Sequence, residues 1–157
     1  MYRLGGRKFV VFDVGPIGCL PAIARKRAGP KTLCVEEINN VVSIFNAKLA
    51  LKINQLSSTL RNSTFVLVKN FNFVHDLVEN PSRFGFKDSR NPCCIVSEES
   101  GACIPDKIPC KDRDGHVFWD AAHPSSAANR IIANEIFNGT SLCTPMNVRK
   151  LINAHKL

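Results

Sequence analysis

The chain has 157 residues, 45% of them hydrophobic and 22% charged, with a net charge of +8. That length suits one domain, and the ordinary balance of apolar and charged residues excludes wholesale disorder. No apolar run approaches the length of a membrane span, and no zinc-finger spacing, aromatic RNA-binding motif or long basic helix accompanies the charge, so neither membrane spanning nor nucleic-acid binding is expected.

Along the chain, Arg3, Arg7, Lys8, Arg25, Lys26, Arg27 and Lys31 face one acid, Asp13, at the N-terminal end. They read as a solvated basic face, with at most weak attraction to anionic surfaces. Lys8 to Val14 is a short β-branched and aromatic run whose two faces are both apolar, which predicts a buried strand. Gly15-Pro16-Ile17-Gly18-Cys19-Leu20-Pro21 then reads as a loop. From about Val35 to Leu60 the apolar residues Ile38, Val42, Phe45, Leu49, Ile53, Leu56 and Leu60 recur at intervals of three and four, predicting a helix with this stripe in the core. Thr64 to Val68 is a second buried strand.

Strand, amphipathic helix, strand is a βαβ unit, so the strands should be parallel and covered on both faces, giving an α/β protein with three layers, α/β/α. Two strands do not complete such a sheet, so the unit reads as the trailing edge of a larger one. A short helix near Val74 to Glu79 ends at Asn80-Pro81, residues 88–115 form a cysteine-bearing loop, and a last helix runs from about Ser125 to Phe137. Its stripe is Ala128, Ile131, Ile132 and Ile136, and Pro124-Ser125 is its start signal.

Seven cysteines point to an oxidising compartment. The disulfide candidates are Cys34, Cys93, Cys94, Cys103 and Cys110, with connectivity open. The odd total leaves at least one cysteine without a partner inside the chain. Adjacent Cys93-Cys94 followed by distant Cys103 and Cys110 is a poor zinc pattern, and no metal or cofactor is expected. Asn62-Ser63-Thr64 and Asn138-Gly139-Thr140 are glycosylation sequons, with Asn62 and Asn138 as acceptors. The first residues carry no apolar signal segment, which conflicts with an export-type composition; a missing N-terminal portion reconciles the two.

Chemistry concentrates in Val117-Phe118-Trp119-Asp120-Ala121-Ala122-His123-Pro124. An Asp three residues before a His, in a loop entering a helix, can hold the imidazole in one tautomer and stabilise the imidazolium formed during proton transfer. His75 reads as a packed or capped histidine, His116 as part of a solvated charged loop, and His155 as a tail residue. Cys19, beside the same cleft, lacks neighbours that would activate it and reads as structural.

The ordered series Gly15-Pro16-Ile17-Gly18-Cys19-Leu20-Pro21, Asn91-Pro92-Cys93-Cys94, Cys103, Cys110, Phe118-Trp119-Asp120-x-x-His123-Pro124 and Cys143-Thr144-Pro145-Met146-Asn147 resembles the plant GDSL esterase/lipase family of SGNH hydrolases over nearly the whole chain. The resemblance implies a flavodoxin-like α/β/α sandwich, secretion, and serine-based hydrolysis of small-molecule or lipid esters, with Asp120 and His123 as the catalytic pair. It also implies that residues 1–157 are a single partial domain, the C-terminal half, expected to be inactive by itself. The family's Gly-Asp-Ser nucleophile block and Gly-x-Asn-Asp block do not occur in this sequence, so the chain offers no nucleophile. Ala122 stands where the family often has an aromatic. The alternative is a non-catalytic, secreted, disulfide-rich interaction module derived from the same fold. In either case the loop at residues 15–21 should line the cleft beyond the carboxyl ends of the strands, the side that His123 faces.

Overall fold

The computed structural model describes residues 1–27 and 32–154, so Lys31 of the basic face and His155 of the tail lie outside the described residues. Strands β1 (Lys8–Phe12) and β2 (Thr64–Val68) pair in parallel, in register from Lys8 with Thr64 to Phe12 with Val68. The two-residue β3 (Cys143–Thr144) adds to the other edge of β2 in the antiparallel sense, giving the order β1-β2-β3.

The central strand carries the alternation that sets the layers. Val66 and Val68, fully buried, point to one face and meet Ile132 and Ile136 of helix α4 (Ser126–Asn138) and Leu151 of helix α5 (Val148–Asn153). Phe65 and Leu67 point to the other face and meet Ile53, Leu49 and Leu56 of helix α2 (Glu36–Thr59). Period-2 side-chain alternation with a helix on each face is the three-layer α/β/α arrangement expected from the sequence.

Departures from the sequence reading have local causes. β1 is an edge strand rather than a buried one: among the described residues it has one hydrogen-bonded neighbour, β2, and Val10 is 37% and Phe12 53% exposed. Helix α1 (Pro21–Arg27) follows the glycine- and proline-rich loop, with Pro21 supplying the preset φ of a first helical residue. On α2, Phe45 lies outside the buried stripe at 54% exposure. Its place on the inner side is taken by Asn39 and Asn46. Asn39 accepts the Gly18 amide hydrogen at 2.9 Å, and Asn46 clamps Val14 at two points, accepting from its N–H at 2.9 Å and donating to its carbonyl at 2.8 Å.

Helix α3 (Asn70–Glu79) starts four residues before the periodicity suggested. The Asp13 carboxylate, at the end of β1, accepts from the amides of Asn70 at 2.8 Å and Phe71 at 3.1 Å, and so caps the helix from far away in sequence. At α4 the cap is local: the Ser125 hydroxyl accepts from Ala128 N–H at 3.1 Å, as the Pro124-Ser125 start signal predicts. No helix among the described residues is long and apolar enough to cross a membrane.

Candidate active site

Residues 117–125 form a tight hairpin that enters α4. Ser125 N–H donates to the Val117 carbonyl at 2.8 Å, Phe118 bridges Pro124, and Trp119 N–H donates to the His123 carbonyl at 2.8 Å. Val117 and Phe118, each 1% exposed, root this hairpin in the core with Leu77, Val78 and Phe86. The stem of the hairpin is therefore fixed in the core.

The tip holds the predicted pair. Asp120 Oδ1 accepts from the amides of Ala122 at 2.8 Å and His123 at 2.7 Å, an Asx-type turn that fixes the carboxylate. Asp120 Oδ2 then lies 2.8 Å from His123 Nδ1. A carboxylate has only acceptor oxygens, so the Nδ1 position carries the hydrogen and Nε2 is left to act. Exposure divides the same way: the Asp120 side chain is 14% exposed and His123 79%. Burial works to raise the Asp120 pKa, but the His123 and Ala122 amides, with the His123 ring, outweigh it and hold the carboxyl below its ordinary range. Asp120 is thus a fixed anion beneath an outward-facing imidazole.

The disulfide-rich segment is the backing of this hairpin. Cys93 and Cys94 N–H donate to the carbonyls of Phe118 and Trp119 at 3.0 and 2.9 Å, and Ala121 N–H donates to the Gly101 carbonyl at 3.1 Å. Gly101 has φ +71°, and a Cβ there would stand 3.0 Å from the Ala121 methyl carbon, so a side chain is excluded twice over. Cys93 pairs with Cys110 and Cys94 with Cys103, so both donor residues are crosslinked. From the other side Ala22 N–H, in α1, donates to the Ala121 carbonyl at 2.9 Å. The third disulfide, Cys19–Cys34, ties the loop after β1 to the start of α2, which makes Cys19 a structural cysteine. Cys143 is the free cysteine, buried, with its thiol pKa raised by that burial.

The loop after β1 and the hairpin share a cleft of about 330 Å³, lined by Phe12, Ile17, Leu20, Val74, Phe118 and Ile132, with Ala122 and Pro124 at its margin. The 15–21 loop thus shares a cleft with Phe118, Ala122 and Pro124 of the hairpin, while Asp120 and His123 are not among its lining residues. The other described histidines are occupied elsewhere. His75 Nε2 lies 3.1 Å from Glu36, and its ring stacks on Phe71. His116 is not in a solvated loop, as the charged sequence around it suggested. Its side chain is 19% exposed, with Nδ1 donating to the Asp112 carbonyl at 2.9 Å and Nε2 3.8 Å from Asp88. Among the described residues, two clusters gather sulfur and histidine within 4.8 Å of one another, Cys19 and Cys34 with Glu36 and His75, and Cys93 and Cys110 with His116. In both clusters the sulfurs are joined as disulfides and provide no thiolate ligand.

Comparison with known proteins gives a consistent picture. A family model described as GDSL-like Lipase/Acylhydrolase matches residues 1–136. GDSL esterase/lipase 7 of Arabidopsis thaliana is 43% identical over 155 residues, covering 96% of this chain and 43% of the relative. Two further GDSL esterase/lipases of the same plant are 40% and 36% identical, covering 98% and 96% of this chain and 43% and 42% of themselves. The chain thus spans less than half the length of these relatives.

Proposed function

The chain belongs to the GDSL-like lipase/acylhydrolase family, and from that premise we propose that it carries the base-supplying part of a serine ester hydrolase, with His123 as general base and Asp120 as its orienting anion. The observation that carries this reading is the 2.8 Å contact between Asp120 Oδ2 and His123 Nδ1, with Nε2 directed outward. In the reaction, Nε2 takes the proton of a serine hydroxyl as the oxygen attacks the ester carbonyl, then returns it to the departing alcohol; Asp120 stabilises the imidazolium between the two transfers.

The nucleophile is not among the 157 residues, which contain no Gly-Asp-Ser. We read the chain as one part of a larger catalytic domain and as inactive in the absence of the remainder. Two facts support this: the relatives are more than twice as long, and among the described residues β1 has an unpaired edge with Val10 and Phe12 exposed. The three disulfides favour an oxidising, extracellular location, and Asn62 and Asn138, both exposed, are the glycosylation sites of this reading. The lack of a serine block keeps a second reading open, a secreted interaction module that retains the disulfide-backed half of the fold.

The two readings separate at the transcript. An in-frame upstream Gly-Asp-Ser block, followed by ester hydrolysis that His123→Ala abolishes, supports the hydrolase. A stop codon or unrelated sequence in that position supports the interaction module.

A further inference from the structure

Pro124, the residue after His123, stands between two clefts of opposite character. On one side of Pro124 is the apolar cleft described above. On the other, about 350 Å³ in volume, the walls are Trp119, Arg113, Asp114 and Ser126, with Pro124 and Asn129 common to both. Resting on the reading of His123 as the base of an ester hydrolase, we propose that this polar cleft is a subsite for the alcohol portion of the ester, and that the alcohol is a neutral, hydroxyl-rich group, a polyol or sugar.

The wall chemistry selects that class. A Trp face offers an apolar platform of the size of a sugar ring's C–H face, and its surroundings supply polar partners for the hydroxyls. Arg113 has donors only, Asp114 acceptors only, while Ser126 and Asn129 have both. An anion such as phosphate would meet Arg113 but also Asp114; a cation would meet the reverse conflict. A ligand whose groups both donate and accept satisfies all four. None of the four side chains is in an ion pair among the described residues; Arg113 lies 5.9 Å from the centre of the Trp119 ring, and the Asn129 amide donates to the Pro124 carbonyl at 3.3 Å, leaving its oxygen for a ligand. The Trp119 amide is bonded to the His123 carbonyl, so the platform and the base are parts of one rigid hairpin.

Trp119 is the single tryptophan of the chain, so its emission reports on this cleft directly. The 157-residue chain is titrated with methyl β-D-glucopyranoside and with glycerol, and in parallel with sodium phosphate at matched ionic strength. Expected is a saturable change with the glucoside in the millimolar range. Arg113→Met or Asp114→Asn should weaken it by about tenfold, the scale of one lost hydrogen bond to a charged group. Both positions are exposed, and the unliganded emission and circular dichroism of each variant verify that it is folded. His123→Ala should bind as the parent does, which separates this inference from the catalytic reading: sugar binding without His123-dependent hydrolysis in a serine-bearing form would sink the latter alone. The inference is overturned if neither neutral ligand gives saturable binding, if phosphate binds as well as the glucoside, or if the Arg113 and Asp114 variants bind unchanged.

Discussion

At the scale of single residues, the Asp120–His123 contact makes sharp demands. In a form of the protein that includes the Gly-Asp-Ser block, His123→Ala should nearly abolish ester turnover. Asp120→Asn should lower it by up to about ten-thousand-fold, the loss the corresponding change gives in serine proteases. His116→Ala and His75→Ala should stay within a few-fold of the parent when folded, since their rings are engaged with Asp112 and Glu36. If His116→Ala were the one to remove activity, the assignment would be wrong. Two carboxylates should also leave opposite marks on stability. Asp120 has its folded pKa below the unfolded value, so its contribution is present above about pH 4 and is lost as pH falls through the lower folded value. Asp13 is the reverse: its burial outweighs the Asn70 and Phe71 amides and Lys69 and raises the pKa, so stability falls as pH rises from the unfolded value through the folded one. Urea midpoints measured across the acid range should therefore show a flattened fall for Asp13→Asn and a lost gain for Asp120→Asn.

At the scale of elements, the cysteine segment braces the hairpin that carries Asp120 and His123. Replacing Cys94 and Cys103 together by Ser should cost on the order of 2–4 kcal/mol of stability. In a serine-bearing form it should reduce kcat more than it raises KM, because Cys94 N–H and the Gly101 carbonyl hold the Trp119–Ala121 backbone. An unchanged kcat would remove the brace from the mechanism. Thiol titration provides a separate check: one reactive thiol per chain should appear in denaturant and essentially none in the folded protein, since Cys143 is 8% exposed and its ionisation is opposed by burial. Much of this level was legible in the sequence. The α2 periodicity, the Pro124-Ser125 start of α4 and the Thr64–Val68 strand all rest on local patterns. What stayed hidden depends on distant partners. The cap on α3 comes from Asp13, the loop after β1 is held by Asn39 and Asn46, and the pairings of Cys19 with Cys34, Cys93 with Cys110 and Cys94 with Cys103 are set by three-dimensional proximity.

At the scale of the molecule, the exposed side of β1 should govern solution behaviour. An unpaired edge flanked by Val10 and Phe12 invites pairing with another chain. Phe12→Lys should therefore reduce concentration-dependent association of the 157-residue chain, read by light scattering, while leaving the melting temperature within a few degrees. If association is unaffected, this edge is not the sticky surface. The apolar run Lys8–Val14 predicted a strand correctly, but burial is a property of neighbours, and an apolar strand reads the same whether or not its next partner is present. The Asp120–His123 contact was legible for the opposite reason: the bonds that make it all lie within a four-residue segment.

That locality has a consequence in time. The Asp120–His123 contact closes a loop of only three residues, and its supporting bonds to Ala122 and His123 amides are equally short in sequence. Closing such a turn costs little chain entropy and needs no long-range search, whereas bringing a serine from elsewhere in a polypeptide to the same point is a high-contact-order event. The imidazole should thus be oriented early on any folding route, and in a serine-bearing form any recovery of ester hydrolysis during refolding should lag behind it.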